Sequence, residues 1–494
     1  METVSSPRRR SAVRSGVLTG LAQVVIALAA AGAGALLAHK FGRTAETDGF
    51  LGAYAVYLVL VFAAQSFRMV VVPDLTRAAA VGRLGGETRA FGLAILALAV
   101  PVCIAVALLS GWLGDVLTGK LPPTAAHIAA RALVVLVPAA FVQLLAALAA
   151  GALAALDSYG TAALGFALGG IMGLVVFAAL AGAHGVVALA WGLSVNAAIA
   201  VTVPVIGLRR RHGLGGPWPE RLEIGPRVWH LVQGSAVPVA LSGCYLLALR
   251  LAAYLGVGRV SSFSYAYLAA SAIVGATAFS LGLISSAPLT RRGIDPVAAG
   301  RHVVDAAWVS LVLAGPVAGI AALVGGRVMG VILGSAYSGN VGRELGHLVV
   351  YLALWMLAWV CFAVSFPLVF VAGKRRALVP LAVVAFLVSI PIGLGLRSLW
   401  GLEGLAVALG LAACVIAAGL IASLSLRTLA IAAAGLLRLA VVVGGATALA
   451  FGGASLFLSP AAAALAGALV YVAVIYACRS LGLSEAWAYV RGLH

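Results

Sequence analysis

His39–Phe50 reads HKFGRTAETDGF, with Lys40 and Arg43 set against Glu46 and Asp48 in a tight, glycine-bearing corner. On either side lie long apolar runs. A run of about 20 apolar residues crosses a hydrocarbon core of roughly 30 Å as one helix. The corner therefore reads as a hairpin between two membrane spans, and the rest of the chain repeats the pattern.

Of the 494 residues, 63% are hydrophobic and only 9% charged, with a mean hydropathy of +1.14. Soluble domains carry about 25% charged residues, so a soluble fold is excluded. Barrel strands would be short and alternating, which these runs are not. The fold class is an all-α polytopic membrane protein with about fourteen transmembrane helices. Apolar runs and turn residues place the spans near 14–40, 48–76, 90–114, 125–155, 159–182, 185–207, 228–256, 260–288, 302–325, 345–372, 376–396, 401–425, 428–453 and 459–480. The sequence LDSYG makes the turn between the fourth and fifth, and Pro238 within QGSAVPVAL is expected to break the seventh.

The formal net charge of +18 reads as basic loops on one membrane face, not as a nucleic-acid surface. With both termini inside, the inner segments hold 22 of the 32 Lys and Arg, the outer loops eight, and two (Arg68 and Arg250) fall inside spans. The positive-inside rule then places the termini in the cytoplasm and the chain in the cytoplasmic membrane. The five cysteines lie in or beside apolar runs without metal-ligand spacing, so no metal or other cofactor is expected. Coupling to an ion or to the membrane potential stays open. No catalytic cluster or phosphate-cradling glycine loop is present, which argues against an enzyme.

The corner has an echo. Tyr54-Ala55 follows the first glycine turn and Tyr265-Ala266 follows a second, and the apolar runs after them close on Val71–Arg77 (VVPDLTR) and Ser286–Arg291 (SAPLTR), 211 to 215 residues apart. Six spans separate the copies, so both point the same way and form a parallel repeat. The organisation read from this is a basic N-terminus (1–13), an N-lobe (14–207, spans 1–6), a basic linker (208–227), a C-lobe (228–425, spans 7–12), two extra spans (428–480) and a cytoplasmic tail (481–494). Two such lobes imply a central cavity and alternating access.

Phe41, Gly42, Thr47, Asp48, Gly49 and Phe50 resemble the first outer hairpin of the MviN/MurJ lipid flippase family, within the multidrug/oligosaccharidyl-lipid/polysaccharide exporter superfamily. VVVPDL closing span 2, AALAAGALAALDSYGTAALGFALGG across spans 4 and 5, VALAWGLSV in span 6 and YAY opening span 8 extend the resemblance over residues 14–300. It implies a V of two six-helix lobes, a groove at spans 13 and 14 for a lipid tail, and a substrate that is a lipid-linked sugar. Partners would be membrane lipids and cell-envelope synthesis proteins. Members of the family carry cavity arginines in spans 1, 2 and 8. Here those places read AAAGAGALLA, VYLVLVF and Leu268.

Arg68 and Arg250 are the replacements to consider. An intramembrane arginine is costly and faces water, a partner or a polar ligand, and its fork of donors suits phosphate oxygens. Each could instead snorkel to an interface, and Arg68 could pair with Asp74. Gln65 and Gln23, inside spans 2 and 1, either bridge helices or join the arginines in a substrate site. Asp48 can cap span 2 and favour its dipole, or pair with Arg43 as a gate on the outer side. The functions consistent with this set are a flippase for a lipid-linked glycan precursor, a cation-coupled exporter of small molecules, and a non-transporting, flippase-like scaffold for envelope synthesis.

Overall fold

The computed structural model describes residues 7–211, 214–219, 221–274 and 295–492, without the side chains of 7–20, 65, 68–70, 481 and 489–492. Ser286–Arg291, the second closing motif of the repeat, lies outside the described residues. The chain divides into two compact units, Met1–Ser242 and Gly243–His494.

Among the described residues, eleven helical stretches are long and apolar enough to cross a membrane. Two of them are hairpins. The stretch Tyr159–Arg210 reverses at Gly185 (φ 60°) and the stretch Arg375–Leu424 at Gly401 (φ 59°), a backbone region that an L side chain resists. Splitting both gives thirteen, and a helix over 259–274 stands where the eighth of fourteen spans is expected.

The first unit contains α1 (Pro7–Phe41), α2 (Ala45–Ala80), α3 (Leu84–Thr118), α4 (Pro123–Ala154), α5 (Tyr159–His184), α6 (Ala188–Arg210) and the first part of α7 (Ile224–Ala253). Its centre is α4, against which α2, α3 and α6 pack. α4 can be central because it is alanine-rich and free of charge beyond Arg131, so neighbouring helices come close. A Cβ on Gly49 of α2 would lie 2.2 Å from the Ala125 carbonyl oxygen, and one on Gly114 of α3 would lie 2.4 Å from that of Ala126. α5 and α6 interlock the same way, Gly173 against the Gly192 carbonyl and Gly169 against Asn196. Close approach through small residues is how helices associate where lipid is as apolar as leucine. The LDSYG turn forms as read: Asp157 has φ 55° and the Ser158 amide donates to the Leu153 carbonyl at 2.9 Å.

α7 stays helical through Pro238, contrary to the expected break. Proline removes one amide donor without forcing the chain out of its helix, and such losses are tolerated in membrane helices when nearby hydroxyls and packing compensate. Ser235 Oγ donates to the Leu231 carbonyl at 2.7 Å just upstream.

The second unit continues with α8 (259–274), α9 (Pro296–Leu311), α10 (Ala314–Leu333), α11 (Gly339–Tyr351), α12 (Ala353–Val371), α13 (Leu378–Leu424, turned at Gly401), α14 (Leu426–Thr447), α15 (Pro460–Ala477) and α16 (Leu483–Gly492). The two halves of α13 run antiparallel, since Gly404 meets the Leu396 carbonyl and Gly419 meets Leu381. Caps start the helices: Asp295 accepts from the Ala298 amide at 3.0 Å and Ser425 from the Thr428 amide at 2.9 Å. At the end of α13, Lys374 Nζ donates to the Leu424 carbonyl at 2.9 Å, a cation where the helix dipole is negative.

The ninth span differs from the sequence reading. It is not one helix over 302–325 but two, α9 and α10, stepped at Val312-Leu313. Neither residue is a helix breaker. The step is satisfied from elsewhere, because the buried Tyr471 of α15 donates to the Val312 carbonyl at 2.8 Å. α14 and α15 lie on this stepped pair. Gly300 and Gly435 admit Ile431 and Val304, and Phe451 sits between Gly319 and Gly467. Phe451 lies in a π-helical turn, Ala448–Gly452, which widens the helix there.

The segment after α6 is strapped onto the first unit. Arg227 makes a forked pair with Glu87, at 2.5 and 3.3 Å, and lies 4.8 Å from the Phe91 ring centroid. Arg89 donates to the Gly216 carbonyl at 2.6 Å and stacks on Trp218 at 4.4 Å. Gly85 and Gly86 leave room for the backbone of Gly215 and Pro217.

Three outcomes follow from this packing. Gly49→Ala pushes a methyl into the α4 backbone, which costs about 1–3 kcal/mol and lowers the thermal midpoint of the detergent-purified protein. Gly111→Ala, at a site with open space, leaves the midpoint unchanged or raises it. Arg227→Ala strips the strap of a charge-assisted pair worth about 1.5–3 kcal/mol. Limited trypsin digestion then cuts near Arg209–Arg211 and Arg221 at least tenfold faster than in the parent protein.

Candidate functional site

The corner that opened the sequence reading is more buried than its charges suggest. Thr47, Asp48 and Phe50 are 0%, 1% and 0% exposed, packed within the protein. Asp48 is not the cap of α2. Thr44 is, with its hydroxyl accepting from the Thr47 amide at 3.3 Å. The helix begins three residues earlier than read, which moves Asp48 to its first turn, where its amide donates to the Thr44 carbonyl at 3.0 Å. A carboxylate there still favours the helix dipole. Arg43 is half-buried at the neck of the turn, before Thr44. Gly42, with φ 59°, makes the reversal.

From this corner α2 carries a ladder of rings. Phe50 stacks on Tyr54 at 6.2 Å and Tyr54 on Tyr57 at 5.7 Å, the spacing of one helix face. The Tyr57 hydroxyl meets the amide of Gln143 on α4. Gln143 itself is buried on α4. Further along α2 lie Gln65 and Arg68, whose side chains are outside the described residues. Asp74, the alternative partner for Arg68, is held by Arg77 at 2.9 Å. Gln23, on α1, is exposed.

The second unit holds Arg250, one turn from the end of α7. Its Nη2 donates to the Tyr254 hydroxyl at 3.3 Å, and its guanidinium carbon lies 5.7 Å from that ring's centroid. Nη1 is buried and no protein group within the described residues accepts from it. Arg397 of α13 lies 5.4 Å from the same centroid. Sequence reasoning counted Arg397 among the loop charges. Nothing local marks it, since 147 residues separate it from Arg250 and only the α7–α13 packing joins them. A second aromatic chain runs through the interior of this unit: Tyr245 on Tyr267 at 3.8 Å, Tyr267 on Trp355 at 4.8 Å, then Trp359, Phe362, Phe366 and Phe370 down α12. Arg259, at the start of α8, pairs with Glu344 of α11. Gln23, Gln65 and Arg68 thus belong to the first unit, and Arg250 to the second.

Chemically, this arrangement offers cations with forked donors and aromatic faces. Both suit anionic amphiphiles, the guanidinium for oxyanions and the rings for apolar bodies.

No family model matches the chain, and no curated protein sequence matches it. Solved structures do. The chain is similar to the lipid II flippase MurJ in an inward-closed conformation, with a TM-score of 0.70 and 16% identity over 94% of this chain and 99% of that one. It is similar to an inward-facing multidrug resistance MATE family transporter of the MOP superfamily, with a TM-score of 0.61 and 15% identity over 85% and 96%. It is also similar to a MOP superfamily transporter from Pyrococcus furiosus, with a TM-score of 0.57 and 15% identity over 87% and 96%. The chain has the fold that these transporters share, and it is a multi-pass membrane protein.

Proposed function

We propose that this protein flips a lipid-linked glycan precursor across the cytoplasmic membrane by alternating access, with both termini in the cytoplasm. One observation carries the reading: the backbone follows that of the lipid II flippase along 94% of the chain, against 85% and 87% for the other two transporters.

The physical task is to move a pyrophosphate and sugars past hydrocarbon while the polyprenyl tail stays in lipid. An unpaired charge in an apolar medium is prohibitively costly, so the carrier must supply cations along the route. The arginines of spans 1, 2 and 8 typical of lipid II flippases are replaced here by apolar residues. Arg68 and Arg250 take over as phosphate ligands, with Gln65 and Gln23 offering amides to the sugar or to the pyrophosphate. Arg43 and Asp48 belong to the outer hairpin and act in closing it. The substrate is accordingly a polyprenyl-pyrophosphate sugar, lipid II or a relative, and the protein serves peptidoglycan or polysaccharide synthesis alongside envelope enzymes. Transport of this kind needs no catalytic chemistry.

The test is transport of fluorescent lipid-linked sugars in proteoliposomes containing this protein alone. Transport above protein-free vesicles supports the proposal. Export of cationic dyes without lipid flipping would favour a multidrug exporter, and neither activity would favour a scaffold. Within a positive assay, Arg250→Ala lowers the rate roughly ten- to a hundredfold, the worth of a lost charge-assisted contact. Arg250→Lys lowers it less, since charge is kept and only the fork is lost. Protein levels stay level, because removing an intramembrane arginine does not penalise insertion. Equal rates for both variants and the parent protein would remove Arg250 from the substrate path.

A further inference from the structure

We infer that Arg250 and Arg397 form one binding site for the phosphate or pyrophosphate head of a membrane amphiphile, on the outer half of the second unit. Tyr254 is the residue they share. Both guanidinium groups hold the same ring, at 5.7 and 5.4 Å from its centroid. Two like charges gathered on one ring repel, and apolar surroundings screen them poorly. Neither takes part in an ion pair within the described residues. The ring and its hydroxyl compensate part of that cost, through cation–π contact and the 3.3 Å hydrogen bond. They leave Arg250 Nη1 buried without a protein acceptor. An oxyanion bound beside this pair supplies the counter-charge that both cations lack.

The surroundings narrow the ligand to an amphiphile. Leu255, Val257, Leu399 and Trp400 flank the pair and are 36%, 47%, 71% and 58% exposed. Outward-facing apolar side chains with Tyr and Trp beside cations are the pattern of a membrane interface. A free phosphate would not need them, whereas a lipid phosphate arrives with its chains already against such a surface. The tail lies on that surface and not inside the protein. The crevice beneath the arginines, between α7 and α13 at Leu247, Leu251 and Gly393, offers only about 10 Å³, less room than a methylene chain needs. Sequence reading treated Arg397 as an ordinary outer charge; the structure assigns it to this site.

The phosphate has two possible sources, a bulk phospholipid or a polyprenyl pyrophosphate, and only the second rests on the flippase reading. The experiment uses the full chain in detergent, with binding of phosphatidylglycerol and of farnesyl pyrophosphate measured by native mass spectrometry and titration. The variants are Arg397→Gln, Arg397→Lys and, as an outer arginine elsewhere, Arg343→Gln. Arg343 is exposed and hydrogen-bonded to Asn340. The expected result is about a tenfold loss of affinity for at least one probe in Arg397→Gln, a smaller loss in Arg397→Lys, and none in Arg343→Gln. Loss for farnesyl pyrophosphate alone marks a pyrophosphate site, and loss for both marks a general lipid-phosphate site. Either result upholds the site even if no lipid-linked sugar is flipped, so its fate is separable from that of the transport reading. Unchanged binding of both probes in both Arg397 variants overturns the proposal. So does an equal loss in Arg343→Gln, which would reduce it to non-specific charge.

Discussion

Helices in a hydrocarbon solvent gain nothing by hiding apolar surface from one another, so backbone proximity must hold them together. In the first unit that constraint comes to a point at Gly49, where α2 meets the Ala125 carbonyl of α4 closely enough to exclude a side chain. Asp48 precedes Gly49 and is buried by the same approach, and Tyr57, two turns on, is set against Gln143. Gly114 repeats the contact from α3. The charged corner exists because the chain must reverse within a few residues and then bring a bare backbone against α4. In the second unit the equivalent work is done around the step between α9 and α10, where glycines 300, 315 and 319 receive side chains of α14 and α15.

Much of this was legible in the sequence, for a physical reason. A span must satisfy its own backbone hydrogen bonds, so its length and apolarity are written locally. The reversals at Gly42, Gly185 and Gly401 and the LDSYG turn are local as well. What was not legible depends on neighbours. Val312-Leu313 carries no breaker, and only the Tyr471 hydroxyl, far along the chain, explains how a carbonyl can be released there. Pro238 looks like a break and is not one. Asp48 sits in a helix-starting pattern that could place the cap at more than one residue, and the chain chose Thr44.

The candidate site divides along the same line. That Arg250 is unusual follows from one charge in one apolar run. That Arg397 shares its aromatic ring does not, because the pairing is made by the packing of α7 on α13. Resemblance to the flippase family would have directed attention to particular positions in spans 1, 2 and 8, which are apolar here. The positions that carry charge here are different ones, and one neighbour of Arg250, Arg397, comes from a distant part of the chain.

The strap formed by Glu87, Arg89, Trp218 and Arg227 has a consequence for how the protein is made. Every partner it uses precedes residue 243, so the first unit holds its own closing clasp. A ribosome adds about 5–20 residues per second, and the second half takes on the order of tens of seconds to emerge at that pace. Throughout that interval an unclasped first half would present a loose basic segment and an uncovered end of α3 to the membrane surface. With the clasp, the early half can finish as a self-contained object before the later half is made.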